Sequence, residues 1–138
     1  MNLPILLALV TLVTFGLATF FSKVAGANQV YTPSYIIVAS LCNVLVAVII
    51  HIVQRHPFEL SAKMSGLASV AGLMGGLGFY TLLLAFRFGG QGSLVFPIAA
   101  LAIIVSVPLS FIVYREPITP TNLLGLGLGI CTIVVLSR

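Results

Sequence analysis

Apolar residues run along this chain in long stretches that are interrupted only at charged positions. Lys23, Arg55, Glu59, Lys63, Arg87, Arg115, Glu116 and Arg138 carry all of the formal charge, leaving charge-free runs at 1–22, 24–54, 64–86, 88–114 and 117–137. About 20 apolar residues in a helix cross the roughly 30 Å hydrocarbon core of a bilayer. Trimming polar and turn-forming ends predicts helices near 3–22, 34–53, 65–86, 94–113 and 121–137. The last of these is at the lower limit of a span. A β-barrel would need strands of about ten residues that alternate polar and apolar. Val44–Ile50 and Leu94–Pro108 are continuously apolar, so helices are the fitting element. Gly26–Gln29, Thr32–Pro33, His56–Pro57, Gly89–Gly92 and Glu116–Pro117 read as short turns between them.

Composition turns this pattern into a fold class. Only 6% of the residues are charged and 60% are hydrophobic, with a mean hydropathy of +1.26. A water-soluble domain carries about 25% charged residues. That excludes a soluble enzyme, a nucleic-acid-binding module and a disordered chain. The expected architecture is all-α, an integral membrane bundle of about five transmembrane helices in a single domain over 1–138. Its first partner is the lipid bilayer, and the scattered cations form no nucleic-acid patch. Ala25–Ala27 has the small-residue look of a signal cleavage site. However, no Lys or Arg precedes the first apolar run, which exceeds the usual 7–15 residues. The segment is therefore read as a span. Cys42 and Cys131 fall inside spans and read as small hydrophobes.

Five spans put the two ends of the chain on opposite sides. Arg55, Lys63 and Arg115 then share one side, and Lys23, Arg87 and Arg138 share the other. With three cations against three, the positive-inside rule favours neither orientation. Such a balance arises by chance in a short chain, or it marks a chain that inserts both ways.

Chemistry is sparse inside the spans. No Asp or Glu lies in the middle of any of them, which argues against proton coupling through a buried carboxylate. Asn43 is the costliest polar residue to bury and reads either as a ligand or as an interhelical hydrogen bond. Pro97 and Pro108 are eleven residues apart, about 1100° of helical rotation, so they share a face. Each removes a donor and frees a carbonyl one turn back. Those carbonyls could line a substrate site, or Ser106 or Ser110 could satisfy them. Ala68, Gly72 and Gly76 recur at four-residue spacing in the third span, as do Thr121, Gly125 and Gly129 in the fifth. Such small-residue faces pack helices together or form a dimer seam. His51, His56 and Glu116 read as interfacial, and no metal or cofactor set stands out.

Phe79-Tyr80 leading to Arg87, then Gly92–Pro97, Glu116–Thr119 and the alternating Gly125, Gly127 and Gly129, taken in that order, resemble the motifs of the EamA-like domain of the drug/metabolite transporter superfamily. Phe79 and Tyr80 leading to Ala85-Phe86-Arg87 are similar to the end of that family's third span. Gly92–Pro97 is similar to its loop into a span with an early proline. Glu116 and Thr119 follow its Gly-Glu-x-x-Thr turn, with Tyr114-Arg115 in place of the small residue. Gly125, Gly127 and Gly129 match its last-span glycines. Phe15-Gly16 and Ser22-Lys23 resemble its Trp-Gly and basic residue in the first span. The Arg that members often carry in the second span is absent around Ser40–Asn43. The resemblance implies a multi-pass plasma-membrane protein that forms one half of a transporter, since members often fuse two such halves. It also implies a partner, either a homodimer mate or an oppositely inserted paralogue.

Two readings follow. In the first, the chain moves a small organic metabolite or lipid-linked molecule by alternating access, as an antiparallel dimer. The small-molecule substrate would then lie near Phe15, Asn43, Tyr80, Pro97 and Ser106. In the second, it is a non-transporting membrane subunit packed against a larger partner through its glycine faces. No paired catalytic side chains support an enzyme, and no cofactor is expected.

Overall fold

The computed structural model describes residues 3–115 and 119–136, the side chains of 122, 133 and 136 excepted. The turn expected at Glu116–Pro117 and the cation at Arg138 lie outside the described residues. Every regular element described is a helix: α1 (Leu3–Ala27), α2 (Thr32–Gln54), α3 (Ala62–Arg87), α4 (Gly92–Ala100), α5 (Ile103–Tyr114) and α6 (Pro120–Leu136). Four stretches are long and apolar enough to cross a bilayer: α1, α2, α3 and the α4–α5 stretch Gly92–Tyr114. A shorter apolar helical stretch spans Leu123–Thr132 in α6. The chain is a multi-pass membrane protein built as a helical bundle.

The helix ends show why the elements stop where they do. α1 continues past the 3–22 span, and its last carbonyls are closed by a Schellman turn. In that turn Val30 N–H donates to Ala25 O at 3.2 Å and Gln29 N–H to Gly26 O at 3.0 Å. Gln29 holds the left-handed conformation at φ 56°, a position that usually takes glycine. α2 opens with Pro33 in its first turn, where a missing N–H costs nothing. It closes at Arg55, also left-handed at φ 51°, whose N–H reaches His51 O at 3.1 Å. Ser61 caps α3, its Oγ accepting from Met64 N–H at 3.3 Å. Past α3, Gly89 at φ 86° turns the chain. α5 closes like α2, with Arg115 at φ 52° donating to Phe111 O at 2.9 Å. Cations in the last turn or at the cap also oppose the negative end of the helix dipole.

The expected fourth span is two helices rather than one kinked helix. The break falls at Leu101–Ala102, between the two prolines. There Ala102, Ile104 and Val105 donate three residues back, to Ala99, Leu101 and Ala102, at 2.9–3.2 Å. This is a tightened, 3₁₀-like turn. Pro108, inside α5, has no N–H to give to the carbonyl of Ile104, which borders the turn.

The chain divides into two compact units, 1–89 and 90–138. In the first, α3 packs against both α1 and α2. Ser22, Ala25, Thr32, Leu83 and Phe86 are buried there, at the C-terminal ends of α1 and α3 and the start of α2. Away from that cluster the side chains are largely exposed apolar groups, as lipid-facing helices require. In the second unit α6 packs against α4 and α5.

Candidate functional site

Two glycines mark where helices come closest. A Cβ on Gly26 would sit 2.6 Å from Phe86 Cβ and 3.1 Å from Leu83 O, so α1 and α3 meet almost backbone to backbone. In the second unit, a Cβ on Gly129 would sit 2.9 Å from Leu101 Cδ2 and 3.5 Å from Ile104 Cδ1. Gly129 thus receives the side chain at the α4–α5 break. By contrast, a Cβ on Gly72, Gly76 or Gly125 would meet nothing within 4 Å.

Open space beside glycines of α3 forms a groove in the first unit. Tyr35, Ile36, Ala39, Ser40 and Asn43 line it from α2, and Gly75, Gly76 and Phe79 from α3. Residues 36, 40 and 43 share a helical face by their spacing. The groove encloses about 220 Å³. Asn43 is the middle residue of α2, eleven from Thr32 and eleven from Gln54. It therefore lies near the depth of the bilayer centre if α2 spans symmetrically.

Hydrogen bonding sets Ser40 and Asn43 apart from most of the hydroxyls in the spans. Thr11, Thr14, Ser69, Thr81 and Thr132 each give a hydroxyl bond of 2.9–3.1 Å to a carbonyl one turn back in their own helix. Those hydroxyls are satisfied locally. Ser40 and Asn43 make no side-chain hydrogen bond among the described residues, and both are exposed. Ser110, half-buried in the other unit, makes none there either.

The remaining candidate residues are placed as follows. Tyr80 is 39% exposed and is not among the groove-lining residues, a place its neighbour Phe79 takes. Phe15 is exposed on α1. Pro97 is half-buried within α4. Ser106 is exposed, its hydroxyl turned back to Ile103 O at 3.4 Å. Of the substrate-binding candidates, the groove includes Asn43; of the packing glycines, it includes Gly76. His51, at the end of α2, meets Phe58 edge-on, with ring centres 5.9 Å apart. No group of three or more His, Cys, Asp or Glu side chains able to hold a metal occurs among the described residues.

Gly26 and Gln29 were not legible as the positions that join α1 and its following turn to α3. The Gly26–Gln29 stretch carries the signals of a loop, yet Gly26 is helical and buried against α3. The pairing of Gln29 with Arg87 has no local sequence signal at a separation of 58 residues.

The chain is similar to an uncharacterized protein of Methanocaldococcus jannaschii, 26% identical over 99% of this chain and 98% of that protein. No solved structure matches it at a significant level. The model of the EamA-like transporter family matches residues 2–138, agreeing with the helical spans and their motif order, and the chain belongs to that family.

Proposed function

We propose that the chain is a five-span transporter half in the plasma membrane that moves a small organic molecule by alternating access. It works as an antiparallel dimer with a second copy or an oppositely inserted paralogue. Substrate passes along the α2–α3 groove, and the chain does no covalent chemistry on it. The observation that carries this reading is the pair Ser40 and Asn43, polar and unpaired in a mid-helix groove. Leaving polar groups unpaired in lipid is costly, so their retention there fits contact with a passing solute or water. The balanced cation count fits insertion in both orientations.

Thiol accessibility tests the reading. In a background without Cys42 and Cys131, which are free and exposed, Ser40→Cys is treated with a membrane-impermeant thiol reagent in sealed vesicles. Leu9→Cys, on an exposed α1 face, is the lipid-facing control. Reaction at position 40 well above the control is the expected result. A position as inert as the control overturns the reading and leaves a non-transporting subunit.

A further inference from the structure

We infer that the α2–α3 groove binds the uncharged, hydrogen-bonding head of an amphipathic molecule, with Asn43 setting the specificity. The inference rests on the transporter reading for the route that the molecule takes, but not for its binding.

The groove has polar groups and no charge. Its lining offers the Asn43 amide, which donates and accepts, and the Ser40 and Tyr35 hydroxyls, which do both. The remaining lining is apolar: Ile36, Ala39, Phe79 and two glycines. Among the described residues, no Asp, Glu, Lys, Arg or His lines it. Along α2 the nearest formal charge is Arg55, twelve residues past Asn43, about 18 Å at 1.5 Å per residue. Along α3, Arg87 lies eight residues past Phe79, about 12 Å away. Both are at the ends of their helices. A cationic or anionic head at this depth would have no opposite charge to pair with, and unpaired charge within a bilayer is strongly disfavoured. A hydroxyl- or amide-bearing head would instead find the two-way partners that Asn43, Ser40 and Tyr35 supply.

Size points to an amphipath. At about 220 Å³ the groove is smaller than the roughly 300–1,000 Å³ of ordinary ligand pockets. It holds a head group, and the rest of the molecule lies outside it. The neighbouring outward residues of α2, Ile37, Val38, Leu41 and Val44, are exposed and apolar, which suits an alkyl tail. Gly75 and Gly76 keep the floor clear, since a side chain at either would enter open space.

Photolabelling of the full chain in lipid nanodiscs tests this. Three probes share one diazirine-bearing alkyl chain and differ in their heads: a diol, a trimethylammonium and a sulfonate. Labelling of segments 35–43 and 75–79 is read by mass spectrometry and scaled to labelling of the exposed α1 face at 6–14, which reports bulk lipid contact. The diol probe is expected to label the groove at least about tenfold more than either charged probe. Asn43→Leu should lower diol labelling about fivefold, the loss of one or two neutral hydrogen bonds. Gly76→Leu should lower it similarly by filling the floor while touching no polar group. Asn43 is exposed and a Cβ at Gly76 would enter open space, so both variants should fold. Equal labelling by a charged probe, or diol labelling unchanged in Asn43→Leu, overturns the inference. Failure here with Ser40→Cys still water-accessible leaves transport standing with another substrate class. Selective diol labelling of a water-inaccessible groove upholds binding and removes transport.

Discussion

The side chain of Gln29 grips Arg87 at two points. Its Nε2 donates to the Arg87 carbonyl oxygen at 2.9 Å, and its Oε1 accepts from Arg87 Nε at 3.3 Å. One bond closes an end carbonyl of α3 and the other ties the α1–α2 turn to the same residue. The residue that does this sits in a left-handed conformation better suited to glycine, so geometry and bonding pull in opposite directions. Gln29→Ala, which loses both bonds and keeps the strain, should destabilise the protein by about 1–2 kcal/mol. Gln29→Gly loses the same bonds but relieves the backbone, and should recover about 1 kcal/mol of that. Arg87→Ala keeps the bond to its own carbonyl and should cost less than Gln29→Ala. Thermal unfolding in detergent ranks the three, and Gln29→Gly ranking below Gln29→Ala would contradict the account.

The close approach at Gly26 involves a Cβ and backbone atoms, which shortening a side chain to alanine does not remove. Gly26→Ala puts its methyl 2.6 Å from Phe86 Cβ, so it should cost about 1–3 kcal/mol as overpacking. Phe86→Ala should fail to rescue it, because alanine keeps the Cβ. A double variant more stable than either single one would show that the clash lies elsewhere.

At Gly129 the neighbour is the end of a flexible side chain, and the outcome differs. Gly129→Val should destabilise through contact with Leu101 Cδ2. Leu101→Ala in the same chain should recover most of the loss, giving a coupling of about 1 kcal/mol or more in a double-mutant cycle. Additive effects would mean that the two residues do not meet.

Dual insertion predicts a specific topology result. A reporter fused after Arg138, with single cysteines probed at both faces, should give comparable signal from both sides of the membrane. Removing one cation, for example by Arg55→Ala, should shift the population towards one orientation. A single orientation in the parent chain sinks the homodimer and leaves either an oppositely inserted paralogue as partner or an accessory subunit.

The spans were legible because eight charges in 138 residues divide the chain into lengths that only a bilayer explains. Element ends were less so. Gly26 followed by Asn28 and Gln29 carries the chemistry of a loop, whereas the helix runs on to Ala27 because packing against Phe86 rewards the absent side chain. The prolines foretold trouble in the fourth span, but the break fell between them, where no residue type marks it. Asn43 stood out by the cost of placing an amide in hydrocarbon. Whether Phe79 or Tyr80 turns to the groove was not readable, because adjacent residues differ by about 100° and a helix apolar on nearly every side offers no stripe to set the register.

The packing of α1 at one end has a mechanical consequence. Gly26 is the last residue but one of a 25-residue helix, so almost the whole of α1 extends beyond its tightest contact with α3. About 23 residues at 1.5 Å each make an arm of roughly 35 Å. A tilt of about 10° at such a pivot carries the far tip roughly 6 Å, the width of a small solute, for an arm of that length. Any rotation about the contact with Phe86 is in this way felt chiefly at the far tip of α1.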